Sequence, residues 1–436
     1  MNVYRDIQEF GGQLRAFDRS ARLFLIATVL HGIVSSAWML FFNFYILERG
    51  FGRDFLGMAN AMPSVAGLIL GIPLGALSDR IGRKPALLLG MAGVMVSSAL
   101  IVTVVDPTMI LVMSFLSGIS FTLFYLSQAP FMMKVSNRET RTLLFSLNFG
   151  LMTLSGAVGS LFAGQLPAIF GSILDVPARS AQAYQAVLLV SVLLSGLTLI
   201  PLAMIKEPHT ASRKVGQRTK RTPIWRIVMR PITLKLALPN LLVGVGAAIL
   251  IPYMNVFFLD RFALPDRQLG VLFSLSALLT GVGSVLAPRL ATGLGSKIRA
   301  VVLTQSISLV FLLMLGFSPV LWLAGISFLI RGTLMNMASP LYHTFAMEQI
   351  DETEQGTFNS VFELAWQVGW AVGPYISGVV QESYGFTPLF IATSILYLVS
   401  TLLIWTLFKR KEFEMETAIE LKTVGDVLTA GDILGD

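Results

Sequence analysis

Ionisable side chains are rare in the long apolar stretches of this sequence, and three lie deep inside such stretches. They are His31, Arg331 and Glu363. A charge inside a bilayer is costly unless it is paired or hydrated, so each is a candidate for coupling or for a charge pair. Residue counts from the helix ends put Arg331 and Glu363 at similar depths. We expect these two either to serve transport or to form a structural pair, and His31 to exchange protons near neutral pH.

Polar and aromatic side chains also share faces of the same apolar stretches. Glu363, Trp366, Gln367 and Trp370 follow an i, i+3, i+4, i+7 pattern, which places them on one face of a helix. Hydrogen bonds between helices are an equal alternative for the amides and the tyrosine, and packing is an alternative for the tryptophans. The sequence predicts a central cavity whose lining includes this face and a further set of residues: Trp38, Asn43, Tyr125, Gln128, Asn255 and Asn336.

Several kinds of chemistry have no residues to support them. The chain has no cysteine and three histidines, with no His-Glu-x-x-His spacing, so we expect no metal site. It has neither a phosphate-binding Gly-x4-Gly-Lys-Ser/Thr loop nor a nucleophile elbow. We therefore expect no cofactor and no enzymatic activity, and transport driven by a gradient rather than by a nucleotide.

The composition indicates a protein that is embedded in a membrane. Of 436 residues, 54% are hydrophobic and 13% are charged, and many windows of roughly 20 residues carry almost no charge. The first apolar stretch has no cleavage pattern, so we expect it to stay in the protein. The apolar windows predict an all-α polytopic protein with twelve transmembrane helices near 22–47, 55–77, 85–105, 108–133, 143–166, 184–205, 236–259, 269–290, 300–317, 320–346, 357–380 and 387–408.

Basic residues predict the orientation. With both termini in the cytoplasm, 26 of the 32 lysines and arginines lie on that side, five lie outside and one is Arg331. The net charge of +7 thus reflects the excess of basic residues on the cytoplasmic side of the membrane. We expect no binding of nucleic acid. The predicted domains are an N-terminal segment (1–21), two six-helix bundles (22–205 and 236–408), a basic linker (206–235) and a tail (409–436).

The two predicted bundles repeat each other. A shift of 214 residues places Ser155-x3-Gly159-Ser160-x3-Gly164 on Gly369-x3-Gly373-Pro374-x3-Gly378. A shift of 213 residues places Gly82 on Gly295, in the loops after the second and eighth helices. Two bundles related in this way are typical of transporters that rock about a midplane site.

The loop after the second helix resembles the loop that marks the major facilitator superfamily. Its residues are Gly75-Ala76-Leu77-Ser78-Asp79-Arg80-Ile81-Gly82-Arg83-Lys84. The resemblance implies a fold of two six-helix bundles and a gate in which Asp79 pairs with basic residues and with a helix end. That contact would help to hold the outward-open state. The gating residues implied are Gly75, Asp79, Arg80, Gly82, Arg83 and Lys84.

The glycine pattern of the eleventh helix resembles the motif that antiporters of this superfamily carry in helix five. Gly369, Gly373, Pro374 and Gly378 would also allow close helix packing or a hinge, and we favour packing and hinge over a diagnosis of transport direction. By the same resemblance, helices one, four, seven and ten face the pathway.

These observations favour proton-coupled export of small amphipathic organic compounds, since a flexible aromatic cavity can accommodate varied ligands. The alternatives are uptake of a sugar, an organic anion or a peptide, lipid translocation, and a sensor or scaffold without transport. We expect a monomer in the cell's inner membrane, with a small-molecule substrate, the proton and the bilayer as its partners.

Overall fold

A computed structural model describes residues 17–137, 140–206, 224–351 and 354–409, and every regular element within them is helical. The predicted N-terminal segment up to residue 16, most of the predicted linker (207–223) and the tail from residue 410 lie outside the described residues. The long helices are α1 (Arg19–Glu48), α2 (Arg53–Ile81), α3 (Arg83–Thr103), α4 (Pro107–Lys134), α5 (Arg141–Leu174), α6 (Ala181–Met204), α7 (Pro231–Phe262), α8 (Asp266–Gly293), α9 (Lys297–Phe317), α10 (Leu321–Glu348), α11 (Gln355–Tyr384) and α12 (Thr387–Lys409).

Eleven of these helices are long and apolar enough to cross a membrane, and α11 is the exception. This helix has 30 residues, but polar side chains recur on it every four residues. They are Gln355, Asn359, Glu363 and Gln367, and they form a stripe on one face. The predicted all-α fold is confirmed, and α11 differs from the other helices because one of its faces is polar.

Two of the helices are irregular. α5 is interrupted at Gly164 and Gln165 and then continues to Leu174, beyond its predicted end. α7 passes through a 3-10 turn at Ile251–Tyr253, because Pro252 has no N–H to continue the α-helical pattern.

The helices form two halves with equivalent packing. In the N-terminal half (α1–α6), α1 packs on α5, α2 on α4, and α3 on α4; in the C-terminal half (α7–α12), α7 packs on α11, α8 on α10, and α9 on α10. Ser20 at the start of α1 donates to the carbonyl oxygen of Lys206 after α6, at 3.0 Å. We call this side of the molecule the linker end. The opposite side, which carries the loops at 49–52, 175–180, 263–265 and 385–386, is the far end.

The two halves meet at two equivalent helix crossings. A methyl group on Gly57 of α2 would lie 2.6 Å from the carbonyl oxygen of Pro374 and 3.2 Å from Cα of Gly378, both on α11. A methyl group on Gly270 of α8 would lie 2.6 Å from the carbonyl oxygen of Ser160 and 2.8 Å from Cα of Gly164, both on α5. The two crossings are equivalent in sequence. The shift of 213 aligns Gly57 with Gly270, and the shift of 214 aligns Ser160 and Gly164 with Pro374 and Gly378. Both crossings need glycine because the backbones approach so closely.

Candidate transport pathway

A cluster of asparagines joins the halves near the far end. Asn43 of α1 donates to the carbonyl oxygen of Pro252 at 2.6 Å and to Oδ1 of Asn255 at 2.9 Å. Asn255 donates to the carbonyl oxygen of Leu40 at 2.8 Å, and Asn60 donates to Oδ1 of Asn43 at 3.0 Å. Asn43 and Asn255, predicted to line the cavity, therefore close its far end in this structure. Sequence reasoning missed Asn60 and the break in α7, although Pro252 was a usable signal for the break.

The helices α2 and α11 diverge toward the linker end. A methyl group on Gly67 of α2 would lie 3.6 Å from Nε2 of Gln367, so the two helices still approach each other there. One and two turns further on, a methyl group on Gly71 or Gly75 would meet no heavy atom of the described residues within 4 Å. On the linker-end half of α2, Ile69 and Ile72 are exposed. The structure is therefore closed at the far end and open at the linker end.

One acidic and several aromatic side chains lie in this opening. Glu363 of α11 is exposed and interacts electrostatically with Tyr125 of α4, in the other half. Tyr125 is 62% exposed, and its ring stacks on that of Phe121 with 6.1 Å between centroids. Gln128, one turn away on α4, is half-buried. The opening thus combines a carboxylate with aromatic faces contributed by the opposite half.

The structure does not bring Arg331 and Glu363 together. The Arg331 side chain is buried and donates from Nη2 to the hydroxyl of Tyr397 on α12 at 2.8 Å. Its guanidinium carbon also lies 5.6 Å from the centre of the Tyr397 ring. The side chain of Arg331 points into the C-terminal half, because α10 packs beside α12 there and Tyr397 accepts its hydrogen bond.

His31 and several predicted cavity residues make contacts inside one half. The His31 ring meets that of Phe124 on α4 edge-on, with 5.6 Å between centroids. Trp38 stacks on Phe42, its neighbour on α1, at 4.9 Å. Asn336 is exposed and donates to the carbonyl oxygen of Gly332, one turn earlier on α10, at 2.9 Å.

Trp366 and the neighbouring glycines of α11 pack against α7. A methyl group on Gly244 of α7 would lie 3.3 Å from Cα of Trp366, and the rings of Trp366 and Trp370 are 6.3 Å apart. Similarly, a methyl group on Gly369 would lie 2.6 Å from the backbone of α7 at Gly244. One turn further on, a methyl group on Gly373 would lie 2.6 Å from Cβ of Ala248. These contacts assign close helix packing to the glycine motif, with Gly378 reaching the other half.

Two of the charged residues at the turn between α2 and α3 pair with each other. Asp79 forms an ion pair with Arg83, which also donates to the hydroxyl of Ser78 at 2.8 Å. Gly82 has a φ of 96°, which favours glycine, and its repeat partner Gly295 has a φ of 64°. The predicted gate therefore has a defined turn and an internal ion pair in the state described here.

Replacing Asp79 with asparagine is expected to slow transport about tenfold, within the usual range for coupling between sites. The change removes the carboxylate that the resemblance assigns to the outward-open state, while the turn at Gly82 stays intact. Initial transport rates in reconstituted vesicles would measure the effect. Asp175→Asn is the matched control, because Asp175 is exposed at the far end with a φ of 53°, a conformation that asparagine tolerates. An unchanged rate for Asp79→Asn would remove this carboxylate from the gate.

Comparisons with known proteins agree with this fold. The sequence profile of the Major Facilitator Superfamily matches residues 24–374 and 240–434. The multidrug resistance protein MdtG of Dickeya zeae (strain Ech586) is 23% identical over 390 residues, which are 87% of this chain and 92% of that protein. The nucleoside transporter NupG superposes with a TM-score of 0.69 at 14% identity, covering 89% of this chain and 99% of the other. A bacterial homologue of the human lysosomal transporter Spinster, inward-facing and unoccupied, gives a TM-score of 0.73 at 13% identity, covering 91% and 97%.

Proposed function

Because the chain belongs to the Major Facilitator Superfamily, we propose that it exports small amphipathic organic compounds in exchange for protons, by alternating access. The linker end faces the cytoplasm in this proposal, following the predicted excess of basic residues there, and the membrane is the cell's inner membrane. The structure then corresponds to the state that takes up substrate from the cytoplasm.

The position of Glu363 is the observation that carries the proposal. This carboxylate is exposed on the polar face of α11 and interacts electrostatically with Tyr125 of the opposite half. A carboxyl group at this depth is most stable when it is hydrated, protonated or paired with a ligand. A cationic substrate bound against Tyr125 and Phe121 would therefore pair with the carboxylate of Glu363, which would couple its binding to proton release. The relative named a multidrug resistance protein, which aligns with 87% of this chain, supports export of varied compounds.

The contacts favour this function over the uptake alternatives. Uptake of an organic anion would need a cation in the opening, but Arg331 is buried against Tyr397. Binding of a sugar or a peptide would use amide groups, but two of the predicted amides, Asn43 and Asn255, are bonded to each other and to backbone at the far end. This leaves Gln128 and Gln367 as the predicted amides near the opening.

Substituting Glu363 with glutamine is expected to abolish ligand-dependent proton release by the purified protein. Wild type should release protons on binding a cationic ligand, because the cation pairs with the charged form of this carboxyl group. The measurement uses a pH indicator in weakly buffered detergent solution, with ethidium as the cationic probe and chloramphenicol as the uncharged one. Binding is followed separately by tryptophan fluorescence.

His31→Gln distinguishes the second candidate for proton exchange. We expect this variant to keep proton release, because His31 packs on Phe124 within the N-terminal half. Binding by wild type without proton release would contradict proton coupling. Proton release lost in His31→Gln and kept in Glu363→Gln would move the coupling site to α1.

A further inference from the structure

Arg53 and Asp266 occupy the same position in the two repeats. Arg53 is the first residue of α2 and Asp266 the first residue of α8, and the shift of 213 that aligns Gly82 with Gly295 also aligns these two. Both residues lie at the far end, directly above the glycine crossings. They carry opposite charges, and each reaches into the opposite half.

Arg53 contacts two helices of the C-terminal half. Its Nη2 lies 2.7 Å from Oδ2 of Asp260 on α7. Its backbone N–H donates to Oε2 of Glu382 on α11 at 2.8 Å. The residue before it, Gly52, has no side chain to cap α2, so Glu382 supplies this cap from the other half. Arg53, Asp260 and Glu382 form what we call the Arg53 cluster.

Asp266 makes the equivalent contact in the reverse direction. Its side chain is 9% exposed, and it accepts a hydrogen bond at 3.2 Å from the hydroxyl of Tyr184 on α6. The Oδ1 atom of Asp266 also lies 3.9 Å from Nε of Arg179. Arg179 in turn donates a hydrogen bond from Nη2 to the carbonyl oxygen of Leu264 at 2.7 Å. Asp266, Tyr184 and Arg179 form the Asp266 cluster. A carboxylate of the C-terminal half is thus buried against the N-terminal half.

We propose that the Arg53 and Asp266 clusters are the positioning residues of the far-end gate, and that their release is required for the far end to open. The inference rests on the alternating access of the proposed function, but not on the substrate or on proton coupling. Both clusters cross between the halves next to the two glycine crossings, so the halves cannot separate there while the clusters are intact. Each cluster joins a charged side chain of one half to groups of the other half, so loss of either contact should weaken far-end closure.

The two clusters differ in exposure and should therefore differ in their response to salt. In the Arg53 cluster the side chains of Arg53 and Asp260 are 25% and 35% exposed, so dissolved ions screen the pair. The Asp266 side chain is mostly buried and is screened less. Raising the salt concentration should therefore open the far end mainly through the Arg53 cluster.

The absence of cysteine makes a direct test possible. Cysteines at Val105 and Val320, exposed far-end positions in opposite halves, would carry spin labels in the purified full-length protein. Pulsed electron paramagnetic resonance then gives the distance across the gate without substrate. We expect one short distance for wild type and a longer component for Arg53→Ala, with the equilibrium between the states shifted about 5- to 150-fold. High salt should produce the longer component in wild type and little further change in Arg53→Ala.

Rescue by a charge exchange distinguishes gating from a general structural role. The double variant Arg53→Asp with Asp260→Arg should recover the short distance, and Asp260→Asn should reproduce the effect of Arg53→Ala. Arg261→Ala is the matched control, since it removes one positive charge next to Asp260. Tyr184→Phe should lengthen the distance through the Asp266 cluster.

Unchanged distances in Arg53→Ala and Tyr184→Phe, or no recovery in the exchange variant, would overturn the proposal. Absence of proton release would instead count against the proposed coupling and leave these distances unaffected.

Discussion

Replacing Gly378 with leucine is expected to reduce transport about 100-fold while the protein still folds. The first added carbon would collide with the carbonyl oxygen of Arg53 and lie 3.1 Å from Cα of Gly57, and backbone atoms cannot move aside independently. Overpacking of this kind costs about 3 kcal/mol or more, which is enough to disfavour far-end closure by roughly two orders of magnitude. The variant should stay open at the far end. Initial transport rates and the spin-label distance across the gate would measure both effects.

The repeat provides controls for this prediction. Gly164→Leu changes the equivalent glycine of α5, where the added carbon would lie 2.9 Å from the carbonyl oxygen of Asp266, so we expect the same direction with a smaller effect. Gly75→Leu should leave the short far-end distance unchanged, because that position is open among the described residues. A Gly378→Leu variant with wild-type transport would show that the α2 and α11 crossing need not close during the cycle.

Tyr397→Phe is expected to lower the free energy of unfolding by about 1.5–3 kcal/mol, the usual contribution of a hydrogen bond to a charged group. The change removes the hydroxyl that accepts from Arg331 at 2.8 Å, and it keeps the ring beside the guanidinium. Nε of Arg331 already has no partner among the described residues, so little else compensates the buried charge. Unfolding by denaturing detergent would measure the loss. Tyr342→Phe is the matched control, because its hydroxyl donates to the neutral carbonyl of Leu236 and should contribute about 1 kcal/mol.

Arg331→Met tests whether this arginine also contacts substrate. We expect the variant to transport normally and to remain folded with a loss of about 1–3 kcal/mol in stability, because Met keeps the packing of Arg331 but leaves the buried Tyr397 hydroxyl without this partner. Loss of transport by a stably folded Arg331→Met variant would contradict this expectation and would favour uptake of an anion.

Much of the fold could be predicted because the bilayer permits few solutions. A spanning segment must be helical and about 20 residues long, so apolar windows bounded by charge, Gly or Pro placed most of the helices close to their observed bounds. The end of α5 was wrong, because the helix resumes after Gly164 and Gln165 and continues to Leu174. The spacing of glycines was informative for a similar reason. Gly164 and Gly378 aligned under one repeat shift, and each lies at a close crossing between the halves. The repeat in the sequence therefore corresponds to an equivalence in packing.

The candidate site was less predictable because depth in a membrane does not give direction. Arg331 and Glu363 were paired on depth, but successive helix positions rotate by about 100° and neighbouring helices decide which way each side chain points. Contacts that depend on the conformational state were also difficult to predict. Asn43 and Asn255 have polar side chains suited to a cavity, yet they bond to each other where the far end closes. The same residues must form the contacts of both conformational states of the cycle, whereas the structure shows the contacts of one state.

The divergence of α2 and α11 also has a mechanical consequence for the surrounding lipid. Helices that meet at Gly57 and Gly378 and separate toward Gly75 place the two halves further apart at the linker end than at the far end. Opening the opposite end would reverse this asymmetry and transfer cross-sectional area between the leaflets. Any bilayer property that distinguishes the two profiles contributes a free-energy difference between the states. Lateral pressure and spontaneous curvature should therefore shift the conformational equilibrium even when no lipid is bound at a specific site.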